Sequence, residues 1–180
     1  METWQAIDSL RVVREFDERP LSEDRVTRIL DAGRRAGSAK NLQRWVFIVV
    51  QDRARLAALS KSGPWAGHVE GAALAIALVT PDPRAADQPL SIMWDLGKAA
   101  QNMMLAAWDL GIGSCPATVY EHLDATRVLE LPDDQHCEYV LSFGYPADPT
   151  VSQAPNRPGG RASLSEVVRR ETWLNDAPEP

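Results

Sequence analysis

One long helical pattern constrains this chain more than any other feature. From about Leu90 to Leu110, the residues Leu96, Ala99, Ala100, Met103, Ala107 and Leu110 recur at helical spacing. Gly111 then stands where a left-handed C-terminal cap is wanted. The small residues on this helix allow another backbone or helix to come close. Three runs read as strands. Trp45-Val46-Phe47-Ile48-Val49-Val50 is apolar on both faces, which predicts a central strand. Ala72 to Thr80 reads as a second buried strand, and Tyr139 to Phe143 as a third, ended by Gly144-Tyr145-Pro146. A single sheet with flanking helices follows, an α+β fold in one domain spanning 1–180.

Shorter helices fill the intervals. One runs from Thr3 to Leu10, with Trp4, Ile7 and Leu10 on one face. A second starts at Ser22, whose hydroxyl can accept from the next turn, with Leu21 and Val26 spaced as a hydrophobic staple. It carries Val26, Ile29, Leu30 and Gly33 on its apolar stripe and stops at Gly37. Asp52 caps a short helix through Leu59, and another spans about Asp124 to Leu129. Gly63-Pro64 breaks the chain, and Pro81-Asp82-Pro83 and Pro89 bracket a polar loop. From Ala147 to Gly160 the sequence is Pro-rich and aperiodic, and Leu164 to Val168 forms one more short element. Trp173 and Leu174 lie beyond the last core element and need apolar cover. Two readings stand: a tail on its own domain, or a tail wrapped around a partner.

Charge and composition exclude several classes of function. A formal net charge of −6 argues against general affinity for nucleic acid or anionic membranes. No stretch reaches the ~20 apolar residues of a membrane helix. Glu2, Asp8 and Arg11 interrupt anything resembling a signal peptide, so a cytoplasmic address is expected. Cys115 and Cys137 read as buried free thiols, and His68, His122 and His136 show no metal-ligand spacing. No metal site is therefore expected. Neither a phosphate-binding P-loop, a nucleophile elbow nor paired carboxylates occur, which sets hydrolase chemistry aside.

Three clusters are polar where the pattern does not require it. In the first, Leu10 to Phe16, Arg11 and Arg14 either hold a phosphate through their guanidinium forks or are ordinary surface arginines. In the second, Ser38, Asn41 and Gln43 offer a hydroxyl and two amides within six residues. Such groups suit a heterocycle with alternating donors and acceptors, and equally suit a turn. The third, Leu110 to Thr118, is rich in small residues, so backbone groups can approach a ligand there.

The order and spacing of these clusters, followed by Gly144-Tyr145-Pro146, resemble the FMN-dependent nitroreductase family. The family's Arg-Arg-Ser-x-Arg-x-Phe segment and following proline are matched by Arg11, Arg14, Phe16 and Pro20. Its Ala-Pro-Ser-x-x-Asn-x-Gln-Pro-Trp signature is matched by Ala36, Ser38, Asn41, Gln43 and Trp45. Asp95, Gly97, Ala99, Gln101 and Asn102 reproduce its Asp-x-Gly-x-Ala-x-Gln-Asn pattern. Leu10, Val12, Gly37 and Arg44 depart from it, replacing an arginine, a serine and two prolines. The likeness covers about residues 4–168, with 169–180 as an extended tail.

The resemblance implies a nitroreductase-like fold: a central mixed, mostly antiparallel sheet flanked by helices, a long central helix, and a C-terminal tail reaching the partner subunit. It implies a homodimer with FMN between the subunits, reduced by NADH or NADPH in a ping-pong cycle with nitroaromatic, quinone or similar acceptors. Arg11, Val12 and Arg14 would lie at the phosphate with the late basic residues Arg157 and Arg161. Arg14 would also face the flavin N1 and O2. Ser38, Asn41 and Gln43 would reach the ring from the other subunit, and Pro116, Ala117 and Thr118 would address its N5 and O4 edge. No catalytic side chain is implied. Relatives that use flavin for dehalogenation, dehydrogenation or flavin fragmentation are the alternative, as is a non-catalytic ligand-binding protein.

Overall fold

The structure, a computed structural model, describes residues 1–151 and 160–173. Its elements are α1 (Thr3–Ser9), α2 (Glu23–Arg34), β1 (Val46–Val50), α3 (Arg53–Leu59), β2 (Leu74–Pro81), α4 (Ser91–Asp109), β3 (Gly113–Thr118), α5 (His122–Leu129), β4 (Gln135–Gly144) and α6 (Leu164–Val167). The four strands form one sheet in the order β1-β2-β4-β3, and every named pair is antiparallel. A parallel bridge from Val12 to Ser114 continues it beyond β3.

Both faces of the sheet are covered, and β2 shows why its sequence is apolar throughout. Leu74, Ile76 and Leu78 join Ile29, Leu96 and Met103 in one core beneath α2 and α4. The alternate residues Ala75, Ala77 and Val79 join Leu56, Leu59 and Leu129 in a second core beneath α3 and α5. Period-two alternation on a doubly covered strand leaves no polar face. A Cβ on Gly33 would collide with the Met103 side chain, so that glycine sets how closely α2 approaches α4. α4 ends as the sequence predicts. Gly111 takes φ +73°, Gly111 N–H donates to Trp108 O at 3.0 Å, and Ile112 N–H donates to Ala107 O at 2.9 Å. These two bonds and the left-handed glycine constitute a Schellman cap.

Five local expectations change. Trp45–Val50 does not form a central strand: β1 begins at Val46 and is an edge of the sheet. Apolar residues on both faces report what lies above and below a strand, not whether a neighbour pairs on each side. α2 stops at Arg34 rather than Gly37, and the Ser22 hydroxyl makes no capping hydrogen bond although Ser22 occupies the cap. β4 is longer than its apolar run, because Gln135, His136 and Cys137 pair with β2 too. The glycine-rich run after α4 is itself the strand β3, with Pro116 exposed on it.

The apolar face of α1 is left largely uncovered among the described residues. Trp4 is 74% exposed and Ile7 is 50% exposed, while Trp94 on α4 is 72% exposed. Trp173 is exposed as well, and Leu174 lies outside the described residues. Among the described residues, no helix is long and apolar enough to cross a membrane.

Candidate functional site

Two structures built from the polar clusters define the site. The first is the loop between α2 and β1. Lys40, Asn41 and Gln43 have φ of 52°, 55° and 47°, three non-glycine residues in the left-handed region within four positions. Each such residue costs of order 1–3 kcal/mol and persists only where its surroundings impose it. Asp95 on α4 does so from across the fold. Its Oδ2 accepts from Ala39 N–H at 2.8 Å, while Lys98 Nζ lies 2.9 Å from its Oδ1. Within the loop, Ser38 Oγ accepts from Gln43 N–H at 3.0 Å, and Asn41 Oδ1 accepts from Gln43 Nε2 at 3.1 Å. Asn41 and Gln43 are exposed, so the brace holds two amides toward solvent.

The second is a seam between residues 11–17, β3 and the end of β4. Val13 N–H donates to Ser114 O at 3.0 Å, and Asp17 N–H donates to Tyr145 O at 2.9 Å. Phe16 bridges Pro146, and Ala147 N–H donates to Glu15 O at 3.0 Å. Glycine makes this approach possible: a Cβ at position 113 would sit 2.6 Å from Val13 Cβ, and one at 144 would sit 2.8 Å from Phe16 Cδ1.

Polar groups along the seam are left over. Ser114 Oγ and His68 Nε2 are buried without a hydrogen-bond partner. His68 Nδ1 lies 2.7 Å from Ser142 Oγ, which donates to Cys115 O at 3.3 Å. Burial first, and then the charge of nearby Arg14, push the His68 imidazole below its ordinary value. Arg14 is exposed and has no ion pair or hydrogen bond among the described residues. A hollow of about 210 Å³ lies beside it, lined by Val12, Val13, Glu15, Pro146, Asp148 and Val151. That is below the roughly 300–1,000 Å³ of a typical ligand pocket.

Comparison with known proteins identifies the family. The Nitroreductase family matches residues 7–74 and 60–145. A relative from Archaeoglobus fulgidus is 37% identical over 153 residues, covering 82% of this chain and 87% of its own. The chain belongs to the nitroreductase family. That relative is provisionally named an NADH dehydrogenase/NAD(P)H nitroreductase. A nitroreductase family protein from Clostridium difficile 630 superposes with a TM-score of 0.81 at 25% identity, over 96% of this chain and 99% of its own. An FMN-dependent nitroreductase from Clostridium difficile R20291 does so with a TM-score of 0.74 at 25% identity, over 81% and 88%. The nitroreductase-like fold expected from the sequence is thereby established, and with it an oxidoreductase.

Within this nitroreductase-family chain the expected contacts form two groups. Arg14, Val12 and Pro116 belong to the seam, with Ala117 buried and Thr118 half-buried at the end of β3. Ser38, Asn41 and Gln43 belong to the braced loop. Arg11 is turned back onto α1, its Nη1 donating to Asp8 O at 2.8 Å and Leu10 O at 3.1 Å. Arg161 is exposed just before α6, and Arg157 lies outside the described residues. Val12 is 43% exposed and presents methyl groups where the family carries a hydroxyl. Two contacts had no sequence signal of their own. His68 meets Ser142 across 74 residues, and Asp95 meets Ala39 across 56.

Asp95 also gives the loop a pH dependence. The Ala39 amide and then the Lys98 side chain hold its carboxyl below the ordinary aspartate value. A lowered folded-state pKa means that the stabilisation is full above about pH 4 and lost as pH falls through the lower value. The stability gap between wild type and Asp95→Asn, measured by denaturant titration, should therefore be widest near neutrality and close in acid. A gap that is constant from pH 7 down to acid unfolding would show that the charge plays no part.

Proposed function

We propose that the chain is an FMN-dependent NAD(P)H oxidoreductase acting as a homodimer on nitroaromatic, quinone or similar conjugated acceptors. The observation that carries this reading is the loop at Ser38–Gln43, held left-handed by Asp95. Strain imposed from another element, at amides that make few contacts of their own, indicates a ligand. The seam fits the same cofactor. Arg14, with no ion pair among the described residues, supplies a cation for a phosphate or for negative charge at the ring N1 and O2, and the unpartnered Ser114 and His68 atoms supply polar groups beside it. Arg11 and Arg161 extend the basic side, with Arg157 as a further candidate. Ala117 and Thr118, next to exposed Pro116, bring the backbone of an edge strand to the ring's N5 and O4 margin.

FMN held by these residues would supply the hydride chemistry between NADH or NADPH and the acceptor. The protein's part is to orient the ring, bring cationic charge near it and keep one face accessible. The uncovered apolar surfaces of α1 and α4 are suited to a second copy, which would bring its own Ser38–Gln43 loop to the seam. The tail from residue 169 is proposed to reach that copy, with 1–180 forming a single domain.

Purified protein should be yellow, or take up FMN on titration, and should oxidise NAD(P)H with menadione or a nitrofuran as acceptor. A colourless preparation that takes up no FMN would defeat the proposal. Asn41→Ala should weaken FMN binding several-fold without changing the circular dichroism spectrum, and a stable monomer retaining full flavin would exclude the shared pocket. If the flavin binds but none of these acceptors turns over, assays for dehalogenation, dehydrogenation and flavin fragmentation separate the remaining flavin reactions.

A further inference from the structure

A second polar cluster lies where α5 meets β4, built from residues that the flavin reading leaves unused. His136 and Glu138 stand two apart on β4, where the register against β2 slips. Leu78 faces Tyr139 and Val79 faces Cys137, so Glu138 is the extra residue of a bulge. Bulges re-aim side chains and are over-represented beside functional sites. His122, the first residue of α5, reaches the same point, and its ring centroid is 4.4 Å from that of His136.

The atoms that meet there lack donors. His122 Nδ1, His136 Nε2 and Glu138 Oε1 are all buried and without a hydrogen-bond partner. His136 Nε2 is 3.1 Å from Glu138 Oε1, and one ligand atom from each of the three residues lies within 4.8 Å of the others. Arg84 is the cation now nearest. Its Nη2 lies 2.6 Å from Glu138 Oε1 without satisfying it as a hydrogen-bond donor, and lies 3.2 Å from His122 Nε2. Buried polar atoms are nearly always paired, and a buried carboxylate beside two imidazoles calls for a centred positive charge.

We propose that His122, His136 and Glu138 form a three-ligand site for a divalent transition ion of the zinc class. Two imidazoles and one carboxylate are a donor set that such ions favour, and three protein ligands leave a further position for water or an exogenous ligand. Bonds of about 2.0–2.2 Å place tetrahedral ligand atoms roughly 3.3 Å apart, so side-chain rotation closes the present spacing without moving β4 or α5. The ion takes the lone pairs of His136, Glu138 and one ring nitrogen of His122, and displaces the Arg84 guanidinium, which is 58% exposed and free to swing into solvent.

The test uses the full chain after dialysis against a chelator, titrated with Co²⁺ in visible absorbance and with Zn²⁺ by calorimetry. Expected are one equivalent per chain, d–d bands of low-coordinate Co²⁺, and loss of those bands on adding one equivalent of Zn²⁺. His136→Gln and Glu138→Gln should each weaken binding by at least about tenfold. His122→Gln, on the surface helix, should do the same and guards against a buried variant that fails to fold, with circular dichroism as the check. Arg84→Ala, which removes the competing cation, should tighten binding. Absence of one-equivalent binding, affinity unchanged in the His136 and His122 variants, or weaker binding by Arg84→Ala would each overturn the site.

Discussion

Alanine at Arg14 should raise the FMN dissociation constant by roughly 10- to 100-fold while leaving thermal stability nearly unchanged. A charge-assisted hydrogen bond is worth about 1.5–3 kcal/mol, and each 1.4 kcal/mol is a factor of ten in affinity. The fold loses little, because Arg14 is exposed and makes no ion pair or hydrogen bond among the described residues; surface changes of that kind usually stay within about 0.5 kcal/mol. The same variant has a second readout. Since the Arg14 charge helps to depress His68, its removal should raise the His68 pKa toward the ordinary histidine range, while burial keeps it below. Flavin titration checks the first effect and a proton NMR pH series the second. An unchanged dissociation constant would remove Arg14 from the site.

Valine at Gly113 should be more damaging, because it acts on fold and site together. The new Cβ would fall 2.6 Å from both Cβ and Cγ2 of Val13, contacts that only movement of a backbone segment can relieve. Overpacking of this kind costs about 1–3 kcal/mol, or roughly 2–12 °C in melting temperature for a domain this size. The segment that must move is the one registered on β3 through Val13 N–H and Ser114 O, so Arg14 moves with it. FMN affinity should fall alongside stability. Gly71→Ala, where nothing lies within 4 Å of the added Cβ, is the control. Wild-type flavin binding in Gly113→Val would show that the seam does not position the cofactor.

Much of this architecture could be read from the sequence where the code is local. The long helix, its glycine cap and the Asp52 cap of α3, where the carboxylate accepts from Arg55 N–H at 2.9 Å, each depend on a few neighbouring residues. The edge position of β1 was not readable, because pairing runs sideways through backbone groups that every residue shares. The amides of Asn41 and Gln43 were visible, but their left-handed backbone was not. That conformation is imposed by Asp95, and nothing in Lys40 or Gln43 announces it. Equally, spacing cannot tell two arginines apart when one turns back onto its own helix and the other has no hydrogen-bond partner among the described residues. Of these points, the loop depends on a contact across 56 residues, the edge strand on its pairing with β2, and Arg11 on the carbonyls of its own helix end.

The backward twist at Lys40 and Gln43 also sets a course for laboratory evolution. Glycine at either position would relax the main chain, so variants selected only for heat tolerance are expected to accumulate it there. At Gln43 each such gain would also delete an amide presented to the ligand. On the proposed flavin reading, durability and grip on the cofactor would therefore compete within a single short stretch of chain.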